Sequence, residues 1–340
     1  MKKLRLVVPV FNDWVSFNIL LRELNQVAAS LPMAISVSAV NDGSTLAPED
    51  ALRDVPLLNN LASVEIVHLY TNVGHQRAIA IGLCIAVEDD DSDAILVMDA
   101  DGEDSPRFID KLIAAAGTRE DFCIVAQRRK RSENLTFKFS YLVYKLIFKL
   151  LTAKQIDFGN FSLFSRSYAR RIVRVADLWN NLPAAVLRSK LPIQTVPVDR
   201  AKRYAGKSKM NFTSLVVHGF SGISVYADTI FVRLLFQTIV LFALSAVLIS
   251  VVLILRIFYP QLATPGWATT VSFGMLIILV QALSVTLSSI LMLLNSRVQR
   301  LIVPFADFKT FVDYRQPLLM NPRHIARTEA AANHLEKNLA

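Results

Sequence analysis

The sequence predicts an α/β domain with a mainly parallel sheet, followed by interfacial amphipathic helices and two transmembrane helices. Short apolar runs alternate with helical patterns in the first part of the chain, which is typical of an α/β domain. Two long apolar stretches follow near the C-terminus. We assign residues 1–228 to the domain with its interfacial helices, 229–296 to the two spans and 297–340 to a C-terminal tail.

Five short apolar runs predict the strands of the sheet. They are residues 4–10, 35–40, 64–69, 94–98 and 122–126. Helical patterns separate them, and this alternation favours a mainly parallel sheet covered on both faces. Ligands bind such sheets at the carboxyl ends of the strands. Polar residues that directly follow these runs are therefore candidate site residues.

Carboxylates follow three of the predicted strands. Asp13 follows the first strand, Asp42 the second, and Asp99 and Asp101 the fourth. Two carboxylates at one strand end can share a hard divalent cation, Mg²⁺ or Mn²⁺, with a diphosphate. An Asp-x-Asp pair alone is more often a solvated loop, and Asp42 followed by Gly43 is equally compatible with a simple turn. The position after a buried strand favours the metal site.

The segment after the third strand begins a helix. Its residues 72–77 include Gly74, His75 and Arg77. Backbone N–H groups at a helix start and the guanidinium of Arg77 could face a phosphate group. A single histidine such as His75 is more often structural, so this segment is a weaker indication than the carboxylates.

Interfacial amphipathic helices are predicted near residues 134–153 and 210–228, and a basic stretch, residues 200–209, precedes the second. In the first, three lysines separated by seven and four positions share one helical stripe, with aromatic residues elsewhere: Lys138, Lys145 and Lys149. Such helices suit a membrane interface. An ordinary surface helix packed on the domain is the alternative.

Two apolar stretches, at about 234–255 and 268–294, predict membrane spans. No charged residue lies between Arg256 and Arg297, and about 20 apolar residues suffice to cross a bilayer core. A buried core helix is rarely this long and uncharged. Basic residues flank the pair of stretches, so the positive-inside rule places the domain and both termini in the cytoplasm. We therefore expect a multi-pass protein of the bacterial inner (plasma) membrane, without a cleavable signal peptide.

Composition narrows the classes of partner. The net charge of +9 is better explained by anionic lipid and phosphate ligands than by nucleic acid, because the chain has two predicted spans and no aromatic RNA-binding signature. Cys84 and Cys123 are far apart in apolar surroundings, so we expect reduced packing residues. Homo-oligomerisation stays open.

Taken together, these motifs resemble the family 2 glycosyltransferases, specifically the membrane-anchored polyprenyl-phosphate branch related to dolichol-phosphate mannose synthase. The matching segments are residues 7–13, 40–44, 72–74, 99–101 and 203–209. Each motif is weak alone, but their order and spacing are specific. The resemblance implies a nucleotide-sugar-binding GT-A (Rossmann-like) domain. It also implies inverting transfer of one hexosyl-type sugar from a nucleotide sugar, UDP- or GDP-linked, to a polyprenyl phosphate such as undecaprenyl phosphate.

The resemblance also implies roles for individual residues. Asp99 and Asp101 would hold the metal diphosphate, with Mg²⁺ or Mn²⁺ as cofactor. The nucleotide-sugar pocket would be lined by Pro9, Phe11, Asp13, Asp42, Gly74, His75, Arg77 and Asp99. The acceptor phosphate would be bound by Arg131, Arg203, Lys207 and Lys209.

One departure concerns catalysis. The branch usually has Gly-Asp-Phe-Arg where this chain has Gly159-Asn160-Phe161-Ser162. An asparagine cannot act as a general base, and Asp157 is the nearest carboxylate, so Asp101, Asp157 and Asn160 are the catalytic candidates. A phosphate nucleophile with a second pKa of about 6 is largely ionised at neutral pH. Strong base catalysis is then not needed.

Two other functions were weighed. A processive polysaccharide synthase would carry a Gln-x-x-Arg-Trp motif, and the residues before Trp14, Trp179 and Trp267 do not match it. A non-catalytic membrane protein that binds a nucleotide sugar or scaffolds partners stays open because of Asn160. The intact pair Asp99 and Asp101 argues against it.

Overall fold

A computed structural model describes residues 2–49, 51–53, 55–128, 149–152, 157–205, 220–259, 266–298 and 300–321. The chain divides into two compact units. The sheet unit consists of Met1–Lys138, Ile156–Val225 and Ile302–Ala340, and the helical unit consists of Phe139–Gln155 and Tyr226–Leu301.

The sheet unit is built on one eight-stranded sheet. Its strands are β1 (Lys3–Val10), β2 (Ala34–Asn41), β3 (Ser63–Leu69), β4 (Ala94–Val97), β5 (Cys123–Arg128), β6 (Phe158–Ser165), β7 (Gln194–Val198) and β8 (Val312–Met320). The spatial order is β7-β5-β6-β4-β1-β2-β3-β8. Strands β4, β1, β2 and β3 are mutually parallel, so their carboxyl ends meet at one edge. Strands β6 and β8 run antiparallel to their neighbours.

Helices cover both faces of this sheet. They are α1 (Trp14–Ser30), α2 (His75–Asp89), α3 (Ile109–Ala116), α4 (Arg166–Ile172) and α5 (Leu182–Arg188). Helices α1 and α3 pack apolar side chains onto one face. Helices α2, α4 and α5 pack onto the other, together with Phe308, which follows the short helix α8 (Pro304–Asp307). Two apolar layers thus hold the sheet rigid beneath its carboxyl edge.

The five predicted strands are confirmed, each within two residues of its expected ends. Strands β6, β7 and β8 were not among the predictions. The apolar pattern of β6 is weakened by three small or polar residues, Gly159, Asn160 and Ser162. The patterns of β7 and β8 are each interrupted by a proline, Pro197 and Pro317. Strand β8 lies within the region that the sequence analysis assigned to a C-terminal tail, and it pairs with β3.

The helical unit contains two long apolar helices, α6 (Ala227–Phe258) and α7 (Trp267–Val298). The most apolar windows of both helices are almost entirely unburied, with 11% and 6% of their residues buried. A core helix of a soluble protein would be mostly buried, so these helices fit the two predicted membrane spans. The hydroxyl groups of Thr238 and Thr286 hydrogen-bond at 2.8 Å and join the two helices.

The interfacial helices predicted near 134–153 and 210–228 lie largely outside the described residues. Within them, residues 149–152 and 220–224 are helical. Their placement at a membrane surface stays a prediction.

Candidate active site

The carboxyl ends of the parallel strands bring the predicted site residues to one edge of the sheet. Strand β1 pairs in parallel with both β2 and β4. Asp13, Asp42 and Asp99 each follow one of these three strands closely, so they lie on neighbouring loops at the edge where α/β sheets bind ligands.

Asp42 shapes the loop that leads into α2. Its carboxylate accepts hydrogen bonds from the backbone N–H groups of Val73, at 2.7 Å, and Gly74, at 3.1 Å. Burial raises the pKa of Asp42, while these two N–H groups and the nearby His75 oppose the rise. Asp42 was predicted to line the nucleotide pocket; in the structure its contacts fix the backbone of Gly74, and its role toward a nucleotide stays a prediction.

Gly43 permits a close approach of two loops. Its φ is +66°, which favours glycine, and a Cβ there would lie 2.5 Å from the backbone nitrogen of Asn72. The Asn72 side chain donates a hydrogen bond to the Asp42 carbonyl, at 2.9 Å. The loops after β2 and β3 are therefore in direct backbone contact.

Asn12 joins the loops after β1 and β2, although the sequence analysis gave it no role. Its side-chain oxygen accepts hydrogen bonds from the N–H groups of Thr45 (2.8 Å) and Leu46 (2.9 Å). Its own N–H donates to Ser44 Oγ at 2.9 Å. Asn12 has a φ of 52°, a left-handed conformation that asparagine adopts more readily than most residues. A polar residue two positions after the end of β1 was the available signal.

Asp99 and Asp101 lie in the loop after β4. The Asp101 side chain is largely buried, and one of its oxygens accepts a hydrogen bond from the Glu103 N–H at 3.0 Å. Burial and the negative charge of Asp99 raise the pKa of Asp101 to about 6. Two carboxylates whose charges repel each other favour a neighbouring cation.

His75 faces this pair from the first residue of α2. Its Nε2 lies 3.2 Å from Asp99 Oδ1. Desolvation lowers the pKa of His75, but the charge of Asp99 and the hydrogen bond to it, with smaller contributions from Asp42 and Asp101, leave the pKa above its ordinary value. The residue predicted to bind nucleotide thus sits against the predicted metal ligands.

Arg203 bridges two carboxylates of the site. Its guanidinium donates to Asp101 Oδ2 at 3.0 Å and to Asp13 Oδ2 at 2.8 Å. Arg203 was predicted to bind the acceptor phosphate. It contacts two carboxylates that were assigned to the metal and the nucleotide sugar, and its role toward the acceptor stays a prediction.

The segment that carries Arg203 is attached to the loop after β4. The Tyr204 N–H donates to the Asp101 carbonyl at 2.9 Å, and the Ala201 N–H donates to the Glu103 carbonyl at 3.1 Å. The Tyr204 ring packs so closely on Gly102 that a Cβ there would lie 2.5 Å from it. These contacts fix Arg203 relative to the carboxylates.

Asn160 lies among the same groups on β6. Its side-chain oxygen accepts from Gln76 Nε2 at 3.0 Å, and its side-chain nitrogen is 3.0 Å from His75 Nε2 and 3.5 Å from Asp99 Oδ1. Gln76, which the sequence analysis did not single out, also accepts from the Leu182 N–H at 2.8 Å. Asn160 is therefore part of the carboxylate cluster, although it cannot remove a proton.

The other predicted residues occupy several positions. Pro9 is buried within β1, and Phe11, just beyond that strand, is 42% exposed. Asp157 is half-buried and directly precedes β6. The Arg77 guanidinium lies 5.8 Å from the centre of the Trp179 ring, so its partner is aromatic. Arg131, Lys207 and Lys209 lie outside the described residues.

The donor set suits a hard divalent cation that a substrate helps to bind. No group of three or more histidine, cysteine, aspartate or glutamate side chains able to hold a metal occurs in the described part of the chain. Asp99 and Asp101 supply carboxylate oxygens, and Mg²⁺ commonly binds through one or two carboxylates plus substrate phosphates. The residues therefore fit a cation that arrives with a diphosphate.

The chain is also similar to known proteins in sequence and in fold. A family model described as glycosyl transferase family 2 matches residues 6–180. The Bacillus subtilis protein YkcC, described as an uncharacterized glycosyltransferase, is 25% identical over 276 residues, which cover 80% of this chain and 82% of that protein.

A Salmonella choleraesuis relative is described as undecaprenyl-phosphate 4-deoxy-4-formamido-L-arabinose transferase. It is 26% identical over 220 residues, which cover 63% of this chain and 64% of that protein. The chain thus matches a little under two thirds of that transferase. Among solved structures, mannosyl-3-phosphoglycerate synthase from Rubrobacter xylanophilus superposes with a TM-score of 0.51 at 14% identity, covering 67% of this chain and 73% of that one. This last likeness concerns the fold alone.

Proposed function

Because the chain belongs to glycosyl transferase family 2, we propose that it transfers a single sugar from a nucleotide sugar to a polyprenyl phosphate, with inversion and with a divalent cation. The observation that carries the proposal is the cluster of Asp13, Asp99 and Asp101 with Arg203 at the carboxyl edge of a GT-A-like sheet, in a chain that also has two long apolar helices. The name of the Salmonella relative, which specifies undecaprenyl phosphate, makes that lipid the first acceptor to test.

On the donor side, the loops fixed by Asp42 and Asn12 would enclose the nucleotide of a UDP- or GDP-sugar, with Pro9, Phe11 and Asp13 at the end of β1. Asp99 and Asp101 would hold Mg²⁺ or Mn²⁺, which when bound supplies positive charge to the leaving diphosphate. His75 lies within hydrogen-bonding distance of Asp99 and orients that carboxylate.

On the acceptor side, the phosphate of the lipid is the nucleophile. It is largely ionised at neutral pH, since its second pKa is about 6. Asn160 then has a positioning role, because its amide oxygen accepts a hydrogen bond from Gln76 and its NH₂ group donates toward Asp99. Arg131, Lys207 and Lys209 would bind the acceptor phosphate, and inversion would follow from a single displacement at the sugar carbon.

The sheet bears on membrane topology. Strands β3 and β8 are hydrogen-bonded neighbours, and helices α6 and α7 lie between them in the sequence. If both helices cross a bilayer, the chain returns to the side from which it started, as pairing of β3 with β8 requires. This supports the proposal that the chain crosses the membrane twice and keeps its sheet unit on one side, and the basic residues that flank the helices support the cytoplasmic side of the inner membrane.

The proposal is tested with the full chain in detergent or nanodiscs. Radiolabelled UDP- and GDP-sugars are incubated with undecaprenyl phosphate and Mg²⁺ or Mn²⁺, and label is counted in the lipid extract. We expect label in the lipid for one donor with wild type and none with Asp101→Ala. Nucleotide-sugar binding without transfer for every donor would instead support the non-catalytic function. Transfer that persists in a metal chelator would contradict the role of the cation.

A further inference from the structure

A chain of hydrogen bonds runs from the last strand of the sheet to the loop after β2. Gln316 Oε1 on β8 lies 3.1 Å from His68 Nε2 on β3. His68 Nδ1 lies 3.0 Å from Asn41 Nδ2 at the end of β2. Asn41 Oδ1 accepts a hydrogen bond from the Ser44 N–H at 2.9 Å. Three strands and one loop are linked through a single imidazole ring.

The donors and acceptors in this chain fit in one direction only. The side-chain oxygen of Asn41 accepts from Ser44, so its NH₂ group faces His68 and must donate. His68 Nδ1 is therefore the acceptor, and a neutral ring carries its proton on Nε2. That Nε2–H donates to Gln316 Oε1. The ring thus binds Gln316 of β8 through Nε2 and orients the Asn41 amide through Nδ1.

The surroundings hold the ring in place. His68 stacks on Tyr314 of β8, with ring centres 4.2 Å apart and planes inclined by 10°. Arg315, the next residue on β8, forms ion pairs with Glu65 of β3 and with Asp89 at the end of α2. These contacts fix β8 against β3 and with it the side chain of Gln316.

We propose that His68 is a positioning residue for the nucleotide-sugar site and that β8 contributes to this site by holding the His68 ring in place. This role of His68 depends on the proposed function, in which the loop of residues 41–46 encloses the nucleotide. Asn41 directly precedes Asp42, which fixes the loop before α2. Ser44, held by Asn41, accepts the Asn12 N–H through its Oγ. The His68 ring therefore sets both loops that flank the nucleotide pocket without contacting the nucleotide.

The experiment compares four variants of the full chain in nanodiscs. His68→Ala removes the ring. His68→Asn retains an oxygen near the place of Nδ1, which can still accept from Asn41. Gln316→Leu removes the acceptor for Nε2–H. Met320→Ala, on the same strand but 65% exposed and opposite Ser63, is the matched control.

Two readouts are used: deuterium exchange of a peptide containing residues 42–46, and calorimetric affinity for UDP and GDP with Mg²⁺. For His68→Ala we expect about tenfold faster exchange at that peptide and about tenfold weaker binding of whichever nucleotide the wild type binds, as loss of one or two hydrogen bonds predicts. Exchange in helix α2 should not change. His68→Asn should recover most of the loss, Gln316→Leu should show a smaller loss, and Met320→Ala should match wild type.

Wild-type exchange at residues 42–46 in His68→Ala would overturn the proposal. Equal losses in His68→Ala and His68→Asn would also overturn it, because the hydrogen bond to Asn41 would then not be the cause. The exchange readout needs neither turnover nor a known donor. If the wild type transfers no sugar, the proposed function fails, while the exchange comparison still decides the role of His68.

Discussion

Replacing Arg203 with alanine tests whether its guanidinium competes with a divalent cation for the carboxylate of Asp101. Arg203 donates to Oδ2 of Asp101 and to Oδ2 of Asp13, so a divalent cation at Asp101 competes with the guanidinium for the negative charge of that carboxylate. A hydrogen bond between charged groups contributes about 1.5–3 kcal/mol. The Arg203 side chain is 22% exposed, and solvent screening reduces this value. We take about 1.4 kcal/mol as the cost of displacement, which corresponds to a factor of about ten.

Arg203→Ala should therefore bind Mn²⁺ about tenfold more tightly than wild type in the absence of nucleotide. Calorimetry or electron paramagnetic resonance of the full chain measures this affinity. The variant should also melt at a lower temperature in metal-free buffer, because Asp13 and Asp101 lose their counterion, and should gain more from added Mn²⁺ than wild type does. Arg200→Ala is the control, since Arg200 lies in the same segment and pairs with Glu103 instead.

An effect of Arg203→Ala on the lipid acceptor alone would point to a different role for this residue. If Arg203→Ala leaves Mn²⁺ and nucleotide affinity unchanged and raises only the KM for lipid phosphate, Arg203 serves the acceptor, as the sequence analysis predicted. The reasoning from its contacts with Asp13 and Asp101 would then be refuted.

Three further predictions concern catalysis and stability. Asp101→Ala should lower transfer by at least about 10²-fold, as expected for lost electrostatic stabilisation, while circular dichroism shows an intact fold; near-normal turnover would contradict metal-dependent catalysis here. Asp157→Asn should lower kcat by less than about 10²-fold. Its activity should decrease as the pH falls below about 6, where the acceptor phosphate gains a proton. A loss of several thousandfold, together with loss of the acidic limb of the pH–rate profile, would make Asp157 the base. Arg315→Ala should destabilise the sheet unit at pH 7 by about 1–3 kcal/mol in denaturant titrations, because Asp89 loses a partner. Burial raises the pKa of Asp89, but hydrogen bonds from Arg315 and Arg5 outweigh it and hold the pKa below its ordinary value of 3.8. The stabilisation by ionised Asp89 is therefore fully present above pH 3.8 and is lost as the pH falls through the lowered pKa. If the difference in stability between variant and wild type stays the same in strong acid, this assignment is contradicted.

The sequence predicted the centre of the fold well because the central strands are apolar and buried on both faces. The apolar run is continuous in β4 and, after Arg5, in β1, so these strands are recognisable without knowledge of their partners. Strand β8 has five polar, charged or proline residues among its nine, and only its pairing with β3 makes it a strand. Tertiary context of this kind is not contained in a local pattern.

In the candidate site, too, some residues were predictable from local sequence and others depended on contacts between distant parts of the chain. Asp99 and Asp101 were predictable because carboxylates after a buried strand are conspicuous. The partners of Arg203 were not, because its contacts with Asp13 and Asp101 join residues 190 and 102 positions apart. His68 and Gln316, separated by 248 positions, gave no local signal at all.

The pairing of β3 with β8 has a consequence for how the protein is made. A growing chain that has not yet reached residue 312 carries β3 with an unpaired edge, whose free N–H and C=O groups can pair with a foreign strand. Helices α6 and α7 are synthesised in that interval. The sheet is therefore completed only after both apolar helices have left the ribosome, and the edge of β3 stays unpaired throughout their synthesis.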